Sequence, residues 1–244
     1  MQSFEEFKHL REARFYSLED SVERQVSALV KKYSGNSSNV KNGDTIGRIK
    51  ATDPRTKKGV TIPILVSSEF GSNYGGHYDP NTQQVIINLN KLQRSEDVYI
   101  ITIITHEIVH ALQKPTPQNK KYVAAIKNLE KGQSYNKEDY YTEPSELEAQ
   151  LTGMMYFIKA SYMELKDLYG GSKMWEGRRE RFLTRLRIFI KTPLVNYTKH
   201  NEIELPFFAQ RFSDLIEVIS GNFALWKSLK SKLLNLYNEL EKMD

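Results

Sequence analysis

Apolar residues near the N-terminus recur at Phe4, Phe7 and Leu10, then at Leu18, Val22, Val26, Leu29 and Val30. That spacing is close to 3.6 residues and predicts helix over 3–33. Ser3 with Glu6, and Ser17 with Asp20, stand at capping-box spacing. The periodicity stops in SGNSSNVKNGD, residues 34–44, which reads as a polar linker or loop. A β-like region follows. Residues 45–51 and 60–67 flank the turn-rich DPRTKKG and read as a hairpin. Pro63 demotes the second of these to an edge strand or a bulge. After the loop GSNYGGHYDPNTQ, residues 84–90 (QVIINLN) read as a short third strand. Helical patterns dominate from residue 95: one helix ends before Pro115, and others cover 120–131, 143–168, 173–191, 207–219 and 223–242. No internal repeat stands out. The pattern predicts an α+β chain, mostly helical, with a small antiparallel or mixed sheet.

Composition narrows the chemistry. The 244 residues suffice for one domain with extensions or for two small ones. With no cysteine in the chain, thiol catalysis, disulfides and Cys-type metal sites are excluded. A transition metal would have to be held by His and carboxylate. No apolar run approaches the roughly 18–20 residues that span a bilayer. The charged N-terminus MQSFEEFKHLREARF does not read as a secretory signal peptide, so synthesis in the cytoplasm without membrane insertion is the expectation. The net charge of +5 permits contact with a polyanion. Part of that excess is local: Arg178, Arg179, Arg181, Arg185, Arg187 and Lys191 face a single acid, Glu180. The stretch 173–191 also carries Phe182, Leu183, Leu186, Phe189 and Ile190 on one side, so it reads either as a core helix with a basic outer face or as a nucleic-acid or membrane-surface contact.

The sharpest chemistry lies in ITIITHEIVHALQ, residues 101–113. Residues i and i+4 of a helix share a face, about 6 Å apart along the axis at 1.5 Å per residue. His106 and His110 can therefore point at one ion, with Glu107 beside the first and placed to hydrogen-bond a metal-bound water. This is the physical content of the His-Glu-x-x-His motif. The surrounding Ile103, Ile104, Ile108, Val109, Ala111 and Leu112 would bury the helix and stiffen the ligands. A third protein ligand is needed. An extension with Gly three residues and His six residues after His110 is ruled out, because Gln113 and Thr116 stand there. His77 and His200 lack a second ligand at helical spacing. Glu146, in YYTEPSELEAQ, is the strongest candidate. It is followed by Ala149 for close packing and by Gln150, on the same face, to steady a ligand imidazole. Glu143 is the runner-up, and Glu148 reads as a solvated surface acid.

His106-Glu-Ile-Val-His110 followed by Glu146-Leu-Glu-Ala-Gln150 resembles the gluzincin branch of the zincin metallopeptidases. That branch has a Glu ligand on a later helix, often with Ala at +3 and Asp or Asn at +4; here Gln150 stands at +4. The resemblance covers about residues 45–160. It implies a zincin-like domain over 45–170, preceded by an N-terminal helix and linker (1–44) and followed by a helical region (171–244). It implies Zn2+ as cofactor, His106, His110 and Glu146 as ligands, and Glu107 as the base in hydrolysis of a peptide or protein substrate. It also implies an edge strand along the cleft, for which 84–90 with its GGHYDP loop is the candidate. Tyr140 and Tyr141, just before the third-ligand helix, are candidate oxyanion donors or plain half-buried tyrosines.

The first residues, MQSFEEFKHLREA, are similar to the capsid-targeting peptides of internal head proteins in large T-even-like tailed phages. There a short aromatic helix docks on the scaffold and is cut after Leu/Ile-x-Glu. Leu10-Arg11-Glu12 would match, leaving 1–12 as a cleaved peptide and placing the protein in the phage head with capsid or scaffold as partner. Two functional classes follow: a zinc metalloendopeptidase, packaged or acting on one host or phage protein, and a non-enzymatic virion or DNA-associated protein that retains the zincin fold.

Overall fold

A computed structural model describes residues 18–33, 39–53, 56–71, 74–113, 120–141, 143–192, 210–220 and 222–243. The targeting-peptide match at 1–12, the first half of the predicted 3–33 helix, and His200 lie outside the described residues. The chain divides after Gly153 into two compact units.

The first unit opens with α1 (Asp20–Tyr33), whose buried Val22, Val26, Leu29 and Val30 form one helical stripe. Four strands follow: β1 (Thr45–Thr52), β2 (Gly59–Ser67), β3 (Gly76–Asp79) and β4 (Gln84–Asn88). They form a mixed sheet in the order β1-β2-β4-β3. β1 and β2 are antiparallel, β2 and β4 parallel, and β3 and β4 antiparallel. A register shift between Thr45 and Gly47 changes the parity of β1. Ile46 is buried before the shift, and Ile49 and Ala51 after it.

Three expectations change here. β2 is central rather than an edge. Pro63 is nevertheless tolerated: it pairs with Arg48 on β1, while pairing to β4 begins only at Ile64. The GGHYDP segment is not all loop, because residues 76–79 form β3, and β3 rather than 84–90 is the edge strand. Finally, the strand at 84–90 stops at Asn88. The fully buried Asn88 side chain accepts from Asn90 N (3.0 Å) as the N-cap of a short helix, α2 (Leu89–Arg94). Its amide also donates to Tyr74 O (2.7 Å) and Gly71 O (3.1 Å), tying the incoming loop to the end of β4.

Next come α3 (Asp97–Leu112), α4 (Lys120–Glu130), a short α5 (Lys137–Tyr141) that sequence periodicity did not resolve, and α6 (Pro144–Tyr169). α3 is buried on nearly every side, with Ile104, Ile108 and Val109 fully enclosed. Each such side chain contributes about 1.5–3 kcal/mol on burial, so α3 is the rigid spine of this unit.

In the second unit, the remainder of α6 is joined by α7 (Trp175–Lys191), α8 (Ser213–Ser220) and α9 (Phe223–Glu241). Phe182, Leu183, Leu186, Phe189 and Ile190 of α7 are all buried. Part of its basic face turns inward. The Arg178 guanidinium lies 3.9 Å from the centre of the Tyr169 ring, and Arg179 donates to Tyr162 Oη (3.1 Å) and Glu241 O (2.6 Å). Among the described residues no helix is long and apolar enough to cross a membrane.

Candidate metal centre

α3 presents His106 and His110 one turn apart, with ring centroids 4.7 Å apart, planes at 81°, and Nε2 atoms 3.1 Å from each other. The first turn of α6 brings in Glu146, which is 2% exposed. Its Oε1 lies 3.4 Å from His106 Nε2 and its Oε2 3.3 Å from His110 Nε2. The three side chains form a group that could hold a metal ion. An ion bound tetrahedrally by N and O at about 2.0–2.1 Å sets its ligand atoms about 3.3–3.4 Å apart. The Nε2–Nε2 separation of 3.1 Å is close to that requirement, and each imidazole has a different Glu146 oxygen at a comparable distance, 3.4 Å for His106 and 3.3 Å for His110.

Small residues allow the approach of α6 to α3. Ala149 is fully buried, and its backbone hydrogen-bonds His106. One turn on, a Cβ added at Gly153 would lie 3.4 Å from Thr102 Cγ2 and 3.8 Å from His106 Cβ. Glu146, Ala149 and Gly153 recur at helical spacing, so a single face of α6 carries both the carboxylate and the space it needs.

The edge strand closes the other flank. A Cβ at Gly75 would come within 3.0 Å of Ile103, and one at Gly76 within 2.6 Å of Ile86 O. Two glycines therefore let this segment lie against both α3 and β4. Ile103 and Glu107 are one turn apart on α3, and the Tyr78 backbone N–H donates to the Glu107 carboxylate. Glu107 Oε1 is 3.8 Å from His106 Nε2.

Electrostatics within the group are strongly coupled. Burial pushes the Glu107 carboxyl up to about 8, against the pull of His110 and of the Tyr78 N–H. Burial also acts to raise Glu146, but His106, His110 and the Gln150 amide outweigh it and hold this carboxyl at about 2. His106 is lowered to about 4, chiefly by burial. His110 is raised to about 9 because the Glu146 carboxylate overcomes the same desolvation.

The predicted ligand candidates therefore separate. His106, His110 and Glu146 come together, with Glu107 beside them. Glu143 is buried at the start of α6 but stands outside the group of three, and so does His77 on β3. Gln150 departs from its expected role, since it donates to Glu146 Oε1 at 2.7 Å and steadies the carboxylate rather than an imidazole. Glu148 is not a solvated acid. Its Oε2 accepts from Gln113 at 3.0 Å, its Oε1 is buried with no hydrogen-bond partner among the described residues, and burial raises its carboxyl to about 7. Tyr140 and Tyr141 pack with Ala125, Ile126, Leu129 and Tyr135 in a satellite core.

Two neighbours of the site were not singled out from the sequence as functional. Gln113 Oε1 lies 2.8 Å from His110 Nδ1. Its position three residues after His110, on the same helical face, is a signal that could have been used. The buried phenol of Tyr74 is raised first by desolvation and then by Glu107, Glu130 and Glu146, which places it in the field of the site. No sequence pattern marks it, because its approach depends on the loop held by Asn88.

Comparison of the chain with protein-family models, with curated proteins and with solved structures returned no match.

Proposed function

We propose that His106, His110 and Glu146 hold a zinc ion and that the protein is a zinc-dependent peptide-bond hydrolase, its catalytic domain spanning residues 45–170. The observation that carries the reading is the cluster of His106, His110 and Glu146, with the two Nε2 atoms 3.1 Å apart, a different Glu146 oxygen 3.4 and 3.3 Å from each, and a buried carboxylate beside them. A neutral-imidazole and carboxylate donor set without thiolate suits zinc among the borderline divalent metals. When bound, zinc acidifies a water and polarises a carbonyl.

The chain's own groups supply the rest. Glu107 lies on the flank of the site, its Oε1 3.8 Å from His106 Nε2, and a cation held beside it would favour the ionised carboxylate that accepts a proton. In hydrolysis, Glu107 Oε1 accepts a proton from the attacking water as the C–O bond forms. It then delivers that proton to the departing amine as the C–N bond breaks. The Tyr78 N–H holds the carboxylate in place during both transfers. Substrate binding falls to the open edge of β3. Asn88 N donates to Gly75 O (2.9 Å), so the alternation of an antiparallel pair turns the backbone groups of Gly76 and the carbonyl of Tyr78 away from β4, while the Tyr78 N–H is taken by Glu107. An extended peptide can pair along such an edge with modest sequence preference.

The deciding experiment is native metal analysis with a peptide-library assay, run on wild type, His110→Ala and Glu107→Gln. The expected result is one zinc per chain and peptide cleavage in wild type. His110→Ala should lose the metal, and Glu107→Gln should keep it while losing activity. A wild-type protein purified and reconstituted without stoichiometric metal overturns the reading. The alternative, a virion or DNA-associated protein that binds metal without turnover, rests on the N-terminal peptide and the basic stretch 173–191. It predicts salt-sensitive DNA binding, no cleavage, and full function in Glu107→Gln.

A further inference from the structure

The amide of Gln113 makes three contacts that converge on the metal group from outside it. Gln113 Nε2 donates to Ser145 O at 2.8 Å and to Glu148 Oε2 at 3.0 Å. Both amide hydrogens are thereby used, which leaves Oε1 as the acceptor facing His110 Nδ1 at 2.8 Å. An acceptor there requires His110 to carry a proton on Nδ1, so that in the neutral ring, the form that binds a metal, the Nε2 lone pair faces His106 and Glu146. The backbone of Gln113 is held as the C-cap of α3, its N–H donating to Val109 O at 3.0 Å and His110 O at 3.3 Å. Ser145 and Glu148 flank Glu146 in the first turn of α6. One side chain therefore sets the tautomer and rotation of an imidazole on α3 while fixing the turn of α6 that carries the carboxylate.

We propose that Gln113 is a positioning residue for the metal centre, acting through His110 on one side and through Ser145 and Glu148 on the other. This rests on the metal-site reading above. Glu148 is part of the device: its Oε2 consumes the second amide hydrogen and so prevents the amide from flipping. Loss of an outer hydrogen-bond partner of a ligand imidazole typically weakens metal binding about 10–100-fold.

The test measures Zn2+ affinity by competition with a chelator of known strength, together with the nitrogen resonances of the His110 ring in the zinc-loaded protein. Variants are Gln113→Met, close to glutamine in shape, Gln113→Glu, and the exchange Gln113→Glu with Glu148→Gln. Gln113→Met is expected to bind zinc about 10–100-fold more weakly and to lose the persistent Nδ1–H signal of His110. Gln113→Glu, which sets two carboxylates face to face, should also weaken binding. The exchange keeps an acceptor for His110 and restores a donor between positions 113 and 148, though not the bond to Ser145 O, and should recover affinity over Gln113→Glu together with the Nδ1–H signal. If Gln113→Met fails to fold, the single glutamate variant against the exchange decides the matter, and equal affinities overturn the proposal. Wild-type affinity and an unchanged His110 signal in Gln113→Met overturn it too, while leaving the zinc reading intact. Absence of stoichiometric zinc in wild type removes the zinc reading itself.

Discussion

Glu107 and Glu146 are both enclosed carboxylates on well-packed helices, yet their surroundings drive them in opposite directions. Glu146 accepts from Gln150 and faces two imidazoles, so it stays ionised and suits a ligand. Among the described residues Glu107 has the Tyr78 N–H and a more distant imidazole, and burial lifts its carboxyl to about 8. Glu107→Gln keeps the size of the side chain and removes the proton acceptor. Its kcat should fall about 100- to 10,000-fold with zinc content unchanged, as measured by steady-state kinetics beside metal analysis. His110→Ala removes a ligand atom that sits 3.1 and 3.3 Å from the other two. Stoichiometric zinc should be lost from that variant on dialysis. Both residues could be picked out from the primary structure, because their i, i+1, i+4 spacing is a local property of one helix. The tuning of their acidity could not, since Tyr78 and Gln150 arrive from other elements or from a later turn.

At the scale of elements, the centre depends on how closely α6 approaches α3. Gly153 marks the contact, and its two nearest neighbours are Thr102 and His106. An added methyl group would meet Thr102 Cγ2 at 3.4 Å, an ordinary contact, and alanine favours helix over glycine by about 0.5–1 kcal/mol. Gly153→Ala should therefore retain zinc and melt at or slightly above the wild-type temperature. Gly153→Leu has no such room and should force the helices apart, weakening zinc binding by at least about tenfold; calorimetric titration with Zn2+ compares the two. Within α3, Ile108→Ala empties a fully buried position and should destabilise the first unit by about 2–5 kcal/mol, as measured by urea unfolding of the metal-free protein. Helices of this kind were legible because their periodic apolar positions report burial directly. The sheet was less so: Pro63 argued for an edge strand, and only the offset at which β4 begins to pair makes a central β2 tolerable.

For the whole molecule, metal binding and folding should be linked. A ligand bound only by the folded state stabilises it by about 2.7 kcal/mol at 100 times its Kd, which corresponds to a rise in melting temperature of about 5–10 °C for a chain of this size. Zinc should produce that rise in wild type, excess chelator should reverse it, and His110→Ala should show neither effect in a thermal scan. The primary structure by itself determined the α+β class, the buried helix 97–112 and the facing pair His106/His110, because hydrophobic period and i+4 spacing act over one or two turns. It also narrowed the third ligand to Glu146 or Glu143. Only tertiary structure brought Glu146 beside the two imidazoles, moved the edge strand from residues 84–90 to β3, and turned Glu148 from a surface acid into a partner of Gln113. Those outcomes depend on helix approach, strand order and burial, which are settled by residues far apart in the chain and leave no periodic trace within any one segment.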